Sequence, residues 1–109
     1  GTLTNAKSVE AYVISNIDRW AKASSSNTVA ITDLRAQFTG DGAKEKLQNY
    51  IEKSNPAVVV DDNSITPKEG QVTVQVTTDS GKLKVVIKAY GNGTSDSDIV
   101  YNKDILSDL

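Results

Sequence analysis

The chain has 109 residues, a net charge of −2, 38% apolar residues and 24% charged residues. That describes one domain with a single core, too apolar to be a disordered segment and without the positive field that draws in nucleic acid or an anionic membrane. Cysteine, histidine and methionine are all absent, which excludes thiolate nucleophiles, Ser-His-Asp catalysis and the usual Cys/His zinc sites.

No apolar run reaches the roughly 18 residues of a membrane-spanning helix, and no signal peptide is visible. Gly1-Thr2 reads as the remnant of a cleaved tag, so the natural N-terminus is expected upstream. A cysteine-free chain fits an exported protein that avoids mispaired thiols.

From Ala6 to about Ser24 the apolar residues Ala6, Val9, Val13, Ile17 and Trp20 recur at steps of three and four, with Ile14 and Ala21 beside them. This is the stripe of an amphipathic helix. Lys7, Glu10, Asp18, Arg19 and Lys22 take the remaining surface. Asn5 or Thr4 is the expected N-cap, its side-chain oxygen accepting from an amide of the first turn. The run Ser24-Ser25-Ser26-Asn27 ends the helix, because these side chains compete for backbone hydrogen bonds. Residues 1–24 are thus the helical part of the domain.

Residues 25–56 form a helical connection. Thr32 reads as the cap of a short helix from Asp33 to Phe38, with Leu34 and Phe38 on one face. Gly40-Asp41-Gly42 breaks it, and Asp41 caps a second helix from Ala43 to Lys53. Leu47, Tyr50 and Ile51 give that helix a narrow apolar stripe. It stops at Ser54-Asn55-Pro56, since the residue before proline is pushed out of the helical region.

Residues 57–109 are strand and turn. Ala57-Val58-Val59-Val60 is a β-branched run too short to orient. Turn clusters follow at 61–64 and 67–70. In "QVTVQVTTDSGKLKVVIKAYG", residues 71–91, Val72, Val74 and Val76 alternate with Thr73, Gln75 and Thr77. After Asp79-Ser80-Gly81, Leu83, Val85, Ile87 and Ala89 alternate with Lys82, Lys84, Val86, Lys88 and Tyr90. Period two on both sides of a glycine-containing turn predicts a hairpin. A one-residue slip would drive the lysines into the core, so the register is fixed. Gly91 to Asp98 is a small-residue loop, and Ile99-Val100-Tyr101 with Ile105 marks a final strand.

A meander dry on one face and wet on the other must rest on something. The first helix has the only apolar face of matching width. The expected fold class is therefore α+β: a long N-terminal amphipathic helix packed on an antiparallel β-meander of three to four strands, with two short helices in the connection. No βαβ rhythm is present, which argues against a nucleotide-binding parallel sheet.

Two carboxylate clusters could carry chemistry. Asp61-Asp62-Asn63-Ser64 and Asp96-Ser97-Asp98 offer oxygen ligands that calcium would tolerate, but neither matches the EF-hand spacing or supplies its glutamate. Asp, Asn and Ser in such runs satisfy nearby backbone groups, so turn chemistry is the preferred account of Asp61, Asp62, Asp96 and Asp98. Lys82, Lys84 and Lys88 line the wet face of the hairpin with only Tyr90 as an aromatic, which reads as protection against edge pairing and not as a nucleic-acid site. Asn92-Gly93-Thr94 fits the N-glycosylation pattern and matters only in a glycosylating host. Trp20 lies on the core stripe and is assigned to packing. No Asp or Glu pair stands out for acid–base work. The expectation is a non-enzymatic protein without cofactor.

The order of elements carries one resemblance. "NAKSVEAYVISNIDRWAKASS" is similar to the second half of the long helix of type IV pilins and pseudopilins, and "QVTVQVTTDSGKLKVVIKAYG" with "DIVYN" resembles the sheet of their soluble headgroup. The family's sequence hallmark is an apolar half-helix that would precede this chain. The resemblance implies a structural subunit of a bacterial surface filament, extracellular or at the cell surface, acting in processes such as cell adhesion. Its partners would be copies of itself and other pilin subunits, with membrane contact only through the absent N-terminal helix and no nucleic acid. Many Gram-negative members carry a C-terminal disulfide that this chain lacks, so the resemblance points to a cysteine-free branch such as that of Gram-positive bacteria. The alternative is a free-standing secreted or cell-surface binding module that holds a partner by a loop or a sheet edge. Fold-level likeness does not by itself separate the two.

Overall fold

The computed structural model describes residues 1–22, 58–61 and 66–108, the stretch 58–61 by its backbone. The chain opens with helix α1, Thr2–Lys22, and continues through strands β1, Val58–Asp61, β2, Val72–Asp79, β3, Lys82–Tyr90, and β4, Ile99–Leu106. A single 3₁₀ turn, Asp96–Asp98, leads into β4. The arrangement is α+β, one helix laid on one face of a sheet. The helices expected over 33–38 and 43–53 lie outside the described residues.

The helix begins four residues earlier than its apolar rhythm indicates. Asn5 is inside it, its N–H donating to the Gly1 carbonyl at 3.1 Å, so neither Asn5 nor Thr4 is the N-cap. Thr2 at the first turn instead donates its hydroxyl to the Gly70 carbonyl at 3.3 Å, which ties the start of the helix to the sheet. Ala6, Val9, Val13, Ile17, Trp20 and Ala21 are buried as their spacing requires. Ile14 is not part of that face. It is 54% exposed, because at about 100° per residue it falls well to one side of the line through Val13 and Ile17.

The sheet order is β1-β2-β3-β4. The antiparallel meander is three strands, β2 to β4; the fourth strand, β1, runs parallel to β2, with Val58 opposite Val72 and Asp61 opposite Gln75. The hairpin register puts Val74 beside Ile87, Val76 beside Val85 and Asp79 beside Lys82. That leaves a two-residue loop of Ser80 and Gly81, both at positive φ, +53° and +78°. Positive φ at both central positions is the type I′ requirement, whose twist matches that of the flanking strands. Glycine carries its position without penalty, and Ser80 tolerates the left-handed region as a small polar residue.

Val72, Val74, Val76, Leu83, Val85, Ile87, Ala89 and Ile105 form one cluster with the helix stripe. Each fully buried Val, Leu or Ile contributes about 1.5–3 kcal/mol, whereas an exposed ion pair contributes under about 1 kcal/mol. The helix–sheet seam therefore dominates. Two details of the wet face differ from the alternation. Thr73 is buried on that side, in keeping with a strand paired on both edges. Tyr90 is buried too, at the place where the β3–β4 register shifts: Ala89 faces Tyr101 while Tyr90 faces Ile99, leaving Val100 as the extra residue of a bulge.

Truncating a core side chain leaves a cavity, so Ile17→Ala and Val85→Ala are each expected to cost about 2–4 kcal/mol. Val86→Ala, on the half-buried outer face of the same strand, should cost clearly less. Denaturant melts of the three variants give the ranking, and equal losses at Val85 and Val86 would mean that the outer face is packed as tightly as the inner one.

Candidate functional site

Polar side chains with defined partners gather in three places: the loop before β4, the outer face of the hairpin, and the seam between α1 and β4.

In the loop, Asp98 accepts hydrogen bonds through Oδ2 from the Ser95 hydroxyl at 2.6 Å and the Ser95 N–H at 3.1 Å. The Ser95 and Ser97 hydroxyls lie 2.9 Å apart. The Asp98 N–H returns to the Ser95 carbonyl, and the Gly91 N–H to the Asp98 carbonyl, both at 2.9 Å. Hydrogen bonds from Ser95, the hydroxyl first and the backbone second, hold the Asp98 carboxyl below its ordinary value. That contribution to stability is present above about pH 4 and fades as the pH falls through the lowered value. Asp98 thus ties the end of the 3₁₀ turn back to Ser95.

Asp61 ends the strand at one edge of the sheet, while Asp96 and Asp98 lead into the strand at the other. Three strand spacings separate them, about 14 Å, so the two carboxylate clusters do not converge. Asp62 lies outside the described residues. Among the described residues no group of three or more His, Cys, Asp or Glu side chains is placed to hold a metal ion.

On the hairpin, Lys84 stands 3.6 Å from Asp104 and 3.9 Å from Asp79. Its charge is matched by neighbouring carboxylates on β2 and β4, and the three lysines do not make a uniform basic patch.

The third group was not visible as a group in the sequence. Tyr101 on β4 donates its hydroxyl to Glu10 Oε1 on the helix, and Lys7 Nζ lies 6.0 Å from the centre of the Tyr101 ring. One end of β4 is thereby held to the first half of α1. At the other end, the Asp108 N–H donates to Asp18 Oδ1 at 2.8 Å. Ser107, buried, clamps β4 to β3: its N–H donates to the Leu83 carbonyl at 2.9 Å and its hydroxyl accepts from the Leu83 N–H at 3.1 Å. Lys7, Glu10 and Asp18 read from periodicity as solvent-facing; three- and four-residue spacing marks a flank of the helix but not what lies across from it. Further polar bonds stay within the helix, from Asn16 Nδ2 to the Tyr12 carbonyl and from Arg19 to Asn16. Tyr12 and Trp20 meet at a tilt, ring centres 5.9 Å apart.

These groups order backbone and join layers. They assemble no nucleophile with a base and no facing pair of carboxylates. Among the described residues no helix is long and apolar enough to cross a membrane. Comparison with protein-family models, curated proteins and solved structures finds no match to this chain.

The Glu10 hydrogen bond, then burial and the charge on Glu10, raise the Tyr101 phenol above its ordinary value. Burial, then the charge on Asp96, raises Tyr90. A raised phenol stays protonated in the folded chain after it ionises in the unfolded one. The stabilisation is therefore complete below about pH 10 and lost as the pH rises through the folded value. Tyr101→Phe is expected to flatten the alkaline fall of the denaturation midpoint, leaving the part due to Tyr90. An unchanged alkaline limb would mean that the Tyr101–Glu10 bond does not persist in solution.

The second expectation concerns calcium. Millimolar calcium should leave the melting temperature unchanged, because the Asp98 carboxylate is used by Ser95 and Asp61 is far away. Binding with a Kd of ~10 µM would instead add about 2.7 kcal/mol at a hundredfold excess. A rise abolished by Asp96→Asn would restore a calcium site to the loop.

Proposed function

We propose that this protein is a structural, non-enzymatic subunit of a pilin-like surface filament, extracellular or at the cell surface, whose partners are further copies of itself and related subunits. The observation that carries the reading is the manner in which α1 is used. One face is spent on an antiparallel meander, and the last strand of that meander is fastened back to the helix at Glu10 and Asp18. This makes the helix a spine with a sheet fixed to its side, an arrangement suited to stacking spines in a bundle. Ala6 is consumed by the core, while Leu3 and Ile14 stay 42% and 54% exposed. They are eleven residues apart, three turns, and so share one flank of the helix. A flank bearing two exposed apolar side chains supports contact with neighbouring spines. Filament assembly would draw most of its apolar contact area from a segment joined ahead of Thr2, since two side chains do not make a large patch.

Two measurements test this. Residues 1–109 alone should be monomeric by native mass spectrometry, and the full coding sequence expressed in its own host should produce surface fibres containing this chain. A coding sequence that joins about 20 apolar residues directly to α1, behind a short basic leader, agrees with the proposal. An ordinary signal peptide cleaved just before Thr2 would favour the free-standing binding module. A stable dimer sealed through Val9, Val13 and Ile17 would overturn the spine reading, because those residues would have to leave the sheet.

A further inference from the structure

The loop between β3 and β4 contains the dipeptide Asn92-Gly93, with Asn92 exposed and Gly93 half-buried. Its glycine lies close against a neighbouring side chain. A Cβ on Gly93 would overlap the carboxylate of Asp98, and that carboxylate is anchored by two hydrogen bonds from Ser95. Packing thus favours the one residue whose lack of a side chain leaves its backbone nitrogen open to attack the preceding asparagine.

We infer that Asn92 is a site of spontaneous covalent modification, deamidation through a cyclic imide. The Gly93 nitrogen bonds to Cγ of Asn92. The Cγ–Nδ2 bond breaks, and Nδ2 leaves as ammonia with the proton given up by the Gly93 nitrogen. Water then opens the five-membered imide at either carbonyl. One product is aspartate; the other is isoaspartate, in which the backbone runs through the side-chain carbon and is one methylene longer. Both carry a new negative charge in the loop that already holds Asp96 and Asp98. No oxidant, metal or enzyme is needed, only water.

The other described asparagines are internal controls. Asn5 and Asn16 lie in α1, and Asn102 lies in β4 opposite Lys88. Hydrogen-bonded helix and strand hold the following N–H away from the side-chain carbonyl, and each of these asparagines precedes a residue with a side chain. Asn92 has neither protection.

The test is to incubate the folded full chain at mildly alkaline pH and 37 °C, and to follow each asparagine-bearing peptide by mass spectrometry with isoaspartate detection. The Asn92 peptide should exchange its amide for a carboxyl roughly ten times faster than the Asn102 peptide, as expected for a loop set against a hydrogen-bonded strand, with isoaspartate among its products. Asn92→Gln should abolish that signal and leave the rates at Asn16 and Asn102 unchanged. Conversion of Asn92 no faster than Asn102 would overturn the inference. So would rapid conversion in urea with none in the folded chain, since the loop would then hold Asn92 out of the reactive geometry.

Discussion

The burial of the α1 stripe against β3 and its neighbours is the constraint on which everything else depends. Ala6, Val9, Val13, Ile17 and Trp20 have no other apolar surface of comparable width among the described residues, and Val72, Val74, Val76, Val85 and Ile87 would be a water-exposed sheet face without a cover. The polar ties across the two layers, Thr2 to Gly70, Glu10 to Tyr101 and Asp18 to Asp108, are consequences of that seam. The neutral bond contributes about 0.5–1.5 kcal/mol and those to the carboxylates about 1.5–3 kcal/mol each, less than the seam as a whole but enough to choose among ways of sliding the helix over the sheet.

Periodicity was legible wherever one face of an element is dry. The helix face and the hairpin register follow from spacing, because a wrong phase would bury charge or expose valine, while the final strand follows from its run of Ile99, Val100 and Tyr101. What spacing does not encode is direction and company. Four residues of β1 could not indicate whether they run with or against β2. The pairing is parallel, with Val58 opposite Val72 and Asp61 opposite Gln75. Tyr90 is a similar case. Strict alternation assigns it to the outer face, and its burial there is not announced by spacing. The early start of α1 was hidden because Thr2, Leu3 and Thr4 carry no apolar rhythm; Thr2 finds its partner 68 residues away.

The candidate polar residues were legible in kind more than in place. The run Asp96-Ser97-Asp98 reads as turn chemistry, and the hydrogen bonds of Asp98 go to Ser95, just outside that run. The lysines of the hairpin face outward as the alternation requires, yet Lys84 is set between Asp79 and Asp104, a grouping that needs the register of three strands at once. Glu10 and Tyr101 are 91 residues apart. No local pattern announces such a pair.

That separation bears on the order in which the chain is made. The ribosome releases α1 before the sheet: β2, which helps to cover its apolar face, begins fifty residues after the helix ends, and the β4 groups that hold it follow later still. A chain synthesised at roughly 5–20 residues per second leaves the helix waiting for several seconds with its greasy stripe in water. Contacts this distant also close slowly, since the entropy of a long loop must be met before any of them forms. The core can therefore close only once β4 has been made, since Ile105 belongs to the same cluster as the helix stripe, and its formation is a late, long-range event.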